Sequence, residues 1–154
     1  LNTSALIVAT LTEAPAAEQL ITLSRQADIL EVRDDLVKGL APDWLRSHFA
    51  GELLYTLRSR EEGGRSEVSR DRRHERLIAA ASHFDLIDLE VERDLSSEVL
   101  AAIEPASRII SWHGSVSTLT SLQEVFRRMQ TEPARFYKIV PAAEQSSQET
   151  VPLA

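Results

Sequence analysis

Cysteine is absent from all 154 residues. That excludes disulfides, thiolate metal sites and cysteine nucleophiles, and is compatible with a cytoplasmic protein. No apolar run approaches the roughly 18 residues needed to cross a bilayer, so no membrane partner is expected. The opening Leu1-Asn2-Thr3-Ser4 has no basic segment and no initial methionine, which reads as a trimmed or excerpted chain without a signal peptide. A basic stripe is missing too. Net charge is −7, with 17 basic against 24 acidic residues. Phosphate contacts supply most of the affinity of nucleic-acid binders, so no nucleic-acid partner is expected. Arg70, Arg72, Arg73 and Arg76 do cluster, but Asp71 and Glu75 interleave with them at helical spacing, and the segment reads as a solvated helix face. Glycine is scarce at five residues, and two of the five, Gly63 and Gly64, stand together.

What is present is ordinary in bulk: 43% apolar and 27% charged residues, enough chain for one domain spanning 1–154 with a real core. Apolar runs at 5–11, 28–33, 53–57, 85–91, 107–112 and 135–140 read as six buried strands. Helical patterns lie between them. Pro15 suits the first turn of a helix carrying Leu20, Leu23 and Ala27, and Pro42-Asp43 open a short one that Gly51 stops. Residues 69–84 carry Leu77, Ile78 and Ala81 as an apolar stripe, and Ser96 or Ser97 caps the next helix, ended by Pro105. Ser121 with Glu124 forms a capping box before Leu122, Val125, Phe126 and Met129. No hairpin signal joins any two strands. Strand and helix alternate about every 25 residues, the pattern of β-α-β units on a parallel sheet. After Pro141 the chain turns polar, as a loop and the start of a helix.

In a closed parallel barrel alternate strand residues point inward, and chemistry collects at the carboxyl ends of the strands. Glu31 and Arg33 share a parity, as do Thr56 and Arg58, Ser111 and His113, and Lys138 with Phe136 and Val140. One inward set therefore holds a carboxylate, two guanidiniums, an imidazole and an amine. Lys138, interrupting an apolar strand, reads either as a strand-end lysine reaching water or as an imine-forming lysine. In the second case burial and a neighbouring cation such as Arg58 would lower its pKa. His113 reads as a loop hydrogen-bonding group or, beside such a lysine, as a proton shuttle. Glu62 is a solvated turn charge or the orienting partner of an imidazole. Arg33 and Arg58 are ion-pair partners or donor forks for a substrate carboxylate or hydroxyls. Asp88 and Glu90 buttress these cations.

The tips Glu31-Val32-Arg33, Arg58-Ser59-Arg60-Glu61-Glu62-Gly63-Gly64, Asp85-Leu86-Ile87-Asp88-Leu89-Glu90, Ser111-Trp112-His113 and Tyr137-Lys138-Ile139 resemble type I 3-dehydroquinate dehydratase, in that family's order and spacing. The Arg-Ser-x-x-Glu-Gly-Gly turn is the most specific element. The resemblance implies an α/β fold, a TIM-type (β/α)8 barrel of which this chain covers about the first six strands. It implies a Schiff-base elimination of water from 3-dehydroquinate to 3-dehydroshikimate in the shikimate pathway, leading to the aromatic amino acids. Lys138 would form the imine, His113 would take the proton on the adjacent carbon, and Glu62 would hold His113. Glu31, Arg33 and Arg58 match substrate-contacting positions. The resemblance implies no cofactor and no metal. It is compatible with a homodimer and, as in some organisms, with fusion to shikimate dehydrogenase outside these residues.

Length is the departure from the family. A complete barrel needs roughly 200–250 residues, so the domain is expected to be truncated after the sixth strand, without the arginine and polar groups that the family's last strands bring to the substrate carboxylate. Little or no dehydratase activity is expected of the 154 residues alone. Two alternatives remain at this point: another class I, lysine-imine lyase of the aldolase kind, and a degenerate barrel that binds without catalysis.

Overall fold

The computed structural model describes residues 5–115 and 118–142. Six strands appear among them, β1 (Val8–Leu11), β2 (Ile29–Arg33), β3 (Glu52–Thr56), β4 (Leu86–Glu90), β5 (Arg108–Ser115) and β6 (Phe136–Ala142). Helices α1 (Ala17–Leu23), α2 (Pro42–Arg46), α3 (Arg70–Ala80), α4 (Ser97–Ala102) and α5 (Leu119–Met129) fall in the connections. The strands pair in sequence order and every pairing is parallel. This is the first part of a TIM-type barrel: a parallel sheet with its helices on one face and its strand tips together.

Register sorts the side chains into layers. On the helix-facing side Leu30, Val32 and Leu53 meet Leu20, Leu45 and Phe49. Tyr55, Leu57, Ile87 and Leu89 meet Leu77 and Val99, and Ile110 with Trp112 meets Val125 and Met129. Burying each such side chain stabilises the fold by about 1.5–3 kcal/mol. On the inward face Ile29, Leu54, Leu86, Ile109 and Phe136 make an apolar floor. Two residues further along each strand the inward positions turn polar. The period-2 expectation therefore holds in all six strands.

Several local expectations are corrected. Pro15 lies just outside α1; Ala16 is the capping position, and its N–H donates to Gln19 Oε1 at 2.7 Å. Serine 121 is not the cap of α5. Thr118 is, accepting from the Ser121 N–H at 3.1 Å, which starts the helix at Leu119, three residues before the Leu122 that a Ser121 cap implies. Gly51 stands apart from α2, which ends at Arg46, and packs against the Asp28 carbonyl instead. Of the four clustered arginines, Arg73 is buried and Arg76 pairs with Asp34, so the solvated-face reading fits Arg70 and Arg72 alone. Paired β5 and β6 run past their expected ends to Ser115 and Ala142. Pro141 is tolerated because β6 has a neighbour on one side only among the described residues. The polar stretch expected as a loop and helix start after Pro141 lies outside the described residues. No helix among the described residues is long and apolar enough to cross a membrane.

Candidate active site

The polar layer above the apolar floor is one connected hydrogen-bond network. Glu31, 5% exposed, accepts from Thr10 Oγ1 and Thr56 Oγ1, each at 2.7 Å, one on each carboxylate oxygen. The strands on either side thus lock its rotamer. Lys138 Nζ stands 3.5 Å from Glu31 Oε1 and 3.8 Å from Asp88 Oδ2. Asp88 Oδ1 accepts from Ser111 Oγ at 2.5 Å and Asp88 Oδ2 from Arg58 at 2.7 Å.

Arg58 is the hub. Its Nη1 reaches Glu62 Oε2 at 3.0 Å, Glu90 Oε1 at 3.1 Å and Ser111 Oγ at 3.0 Å, and its Nη2 takes Asp88. Burial works against its charge, but Asp88, Glu90 and Glu62 outweigh that and bind its proton more tightly than usual. Glu62 completes the chain, its Oε2 lying 2.9 Å from His113 Nδ1. The contact is the one a carboxylate makes with a ring that donates Nδ1–H, an arrangement that turns Nε2 away from Glu62.

The turn after β3 fixes Glu62. Ser66 N–H donates to Arg58 O and Arg60 N–H to Ser66 O, closing a loop across its base. Gly64 N–H donates to Ser59 O at 2.7 Å. The two glycines serve different needs: Gly63 adopts φ +83°, while a Cβ on Gly64 would lie 2.2 Å from Arg58 O. Glu90 Oε1 accepts from Ser59 N–H at 2.8 Å, and Asp35 Oδ2 from Arg65 N–H at 3.0 Å, so a buried carboxylate anchors each end. Burial pushes the Glu90 pKa up against the pull of Arg73 and the Ser59 N–H. For Asp35 burial also opposes ionisation, but Arg33 and the Arg65 N–H prevail and hold it below the ordinary carboxylate range. Arg33 grips Asp35 with Nε and Nη2, both at 2.8 Å.

The expected set is thus brought to one face, in two linked groups. Lys138 with Glu31 forms one, and Arg58, Glu62 and His113 form the other, with Asp88 between them. Arg33 stands aside on Asp35. Lys138 is only partly buried, 36% exposed at its side chain, with the Glu31 and Asp88 carboxylates within 4 Å of its amine and Arg58 on the same Asp88 oxygen. Sequence reasoning missed Thr10 and Ser111 as bridging hydroxyls, and Arg73 and Asp94 behind the site. Arg73 could have been found, since it precedes the buried Leu77 by four residues and so shares its helix face. Inside the strands a cavity of about 390 Å³, floored by Ile29, Leu54 and Phe136, opens beside Glu31 and Lys138. That volume suits a small molecule.

Comparison with known proteins gives one consistent answer. The family described as Type I 3-dehydroquinase matches residues 5–151. The 3-dehydroquinate dehydratase of Streptococcus sanguinis (strain SK36) is 28% identical over 146 residues. The match covers 87% of this chain and 63% of that protein, so the chain spans less than two thirds of this relative's length. Among solved structures, 3-dehydroquinate dehydratase from Enterococcus faecalis aligns with a TM-score of 0.73 at 20% identity, over 93% of this chain and 68% of that one. The type I enzyme from Clostridium difficile, solved with covalently modified comenic acid, aligns at 0.72 and 21%, over 97% and 68%. At such identities these structures establish the fold.

Proposed function

Because the chain belongs to the type I 3-dehydroquinase family, we propose that it carries the catalytic strands of a 3-dehydroquinate dehydratase, a hydro-lyase that makes 3-dehydroshikimate through a lysine imine. The carrying observation is the Glu62–His113 contact at 2.9 Å on the same inward face as Lys138. In this reading the Lys138 amine, having released a proton, adds to the ketone, and loss of one water gives the imine. The cationic imine draws electrons from the neighbouring C–H bond, so an imidazole can take that proton at Nε2 and leave an enamine. The enamine pushes out the hydroxyl one carbon further on. His113 returns the proton to it as it leaves as water, and hydrolysis of the new imine frees Lys138 and the product.

Glu62 is assigned the orientation of His113. Glu31 and Arg33 are assigned to substrate contact, as is Arg58 from a position where its donors also hold Glu62. No cofactor is required by this chemistry. The proposal extends to a single domain over 1–154, acting in the cytoplasm. A homodimer is compatible with this reading, and a shikimate dehydrogenase fusion would lie outside these residues. Neither an aldolase-type lyase nor a non-catalytic binder is favoured, since neither calls for the Arg-Ser-x-x-Glu-Gly-Gly turn that delivers Glu62 to His113.

Turnover by these residues alone is expected to be low, so the test reads the imine. Borohydride added with 3-dehydroquinate should leave a covalent mass increment on the wild-type chain and none on Lys138→Ala. Equal labelling of the two would refute the assignment.

A further inference from the structure

Glu62 sits on a turn, yet meets His113 at hydrogen-bond distance, and part of what holds it there lies outside the inward face. Ser59 N–H and Arg58 Nη1 both reach Glu90 Oε1, and the same Nη1 reaches Glu62. Glu90 is itself held from behind. Its N–H donates to Asp94 Oδ2 at 2.7 Å. Arg73, projecting from α3, takes Asp94 with Nε and Nη2 at 2.6 and 2.7 Å and donates Nη1 to the Leu57 carbonyl. Its Nη2 also lies 3.4 Å from Glu90 Oε2. Arg73 is 4% exposed and Asp94 0%. The polar partners of both are backbone groups and Glu90, and neither side chain reaches Lys138 or His113.

We propose that the Arg73–Asp94 pair is a positioning device for the Glu62–His113 couple, acting through Glu90. Three carboxylates, Glu62, Asp88 and Glu90, crowd the guanidinium of Arg58 within 3.1 Å. One cation cannot balance three anions at that range. Lys138 Nζ stands 3.8 Å from Asp88, and behind Glu90 both Arg73 Nη2 and Arg93 Nε lie 3.4 and 3.6 Å from its Oε2, Arg73 being the buried one of the two. Removing Arg73 leaves Glu90 to draw Arg58 toward itself, which loosens the Arg58–Glu62 bond and frees Glu62 from His113. A buried ion pair of this kind adds little net stability over apolar packing, so placement is the effect it can supply. The geometry stands without the dehydratase reading; its consequence for catalysis rests on that reading.

The test needs no turnover. Imidazole ¹⁵N resonances of the 154-residue chain report which ring nitrogen carries the proton, with His113→Asn assigning the signal among four histidines. Wild-type His113 should be held as the Nδ1–H tautomer. Arg73→Met, folded by circular dichroism, should lose that bias, its Nδ1–H share falling several-fold toward that of a free imidazole. Arg73→Lys, which keeps the charge but loses the fork, should fall between. A folded Arg73→Met with the wild-type tautomer ratio overturns the proposal. If that variant does not fold, Arg73→Lys and Asp94→Asn decide by the same reading. Failure of borohydride labelling with this result intact would count against the dehydratase reading alone.

Discussion

Side-chain parity made most of the site legible. Glu31, Arg58, His113 and Lys138 share the inward face because strand residues alternate, and no structure is needed to see that. Pairing is different, because it depends on which strand tip stands opposite which. Nothing in the spacing says that Arg33 will fold back two residues onto Asp35, or that Lys138 will face Glu31 and Asp88. The Asp35 pairing has a pH signature. Its folded pKa lies below the ordinary 3.8, so its contribution to stability is fully present above that value and is lost as pH falls through the depressed folded value. Asp35→Asn should therefore lower stability at neutral pH and narrow its deficit against wild type as the medium becomes more acidic than 3.8. Urea midpoints across that range measure it. A deficit that does not change with pH would show that Asp35 contributes no ionisation-linked stability.

Elements were legible wherever the period ran long enough. All six strands and five helices fall where alternation and helical stripes put them, and errors gather at the ends. Ser121 and Glu124 fit a capping box by spacing, but Thr118 stands earlier and captures the Ser121 N–H. The turn after β3 shows the same limit. Its paired glycines signal an unusual backbone, but only coordinates separate the positive φ of Gly63 from the close approach of Gly64 to Arg58. Alanine at Gly63 should cost about 1–2 kcal/mol for the left-handed backbone. Alanine at Gly64 must push the turn off Arg58 O, costing about 1–3 kcal/mol as overpacking and disturbing Glu62 as well. Denaturant unfolding of both variants, with the His113 signal followed in each, separates the two. The expectation is that Gly64→Ala shifts His113 and Gly63→Ala leaves it unmoved.

At the scale of the whole molecule, β1 and β6 each have one paired neighbour among the described residues. Leu6, Ile7 and Val8 on one side and Val140 on the other are 41–57% exposed. Open parallel edges beside exposed aliphatics template pairing between chains. The purified 154 residues should self-associate with rising concentration, and Ile7→Lys should weaken that; light scattering on a sizing column reads both. A chain that stays monomeric throughout would remove the basis for an edge-to-edge dimer. Self-association leaves the inward site in place, and the central claim concerns that site. The sequence holds only two lysines, Lys38 and Lys138, so each chain carries its own control. Borohydride reduction in the presence of 3-dehydroquinate, followed by peptide mapping, is the most direct measurement. The account predicts an adduct on the peptide containing Lys138 and none on Lys38. A folded chain that carries no adduct, or carries it equally on both lysines, would contradict it.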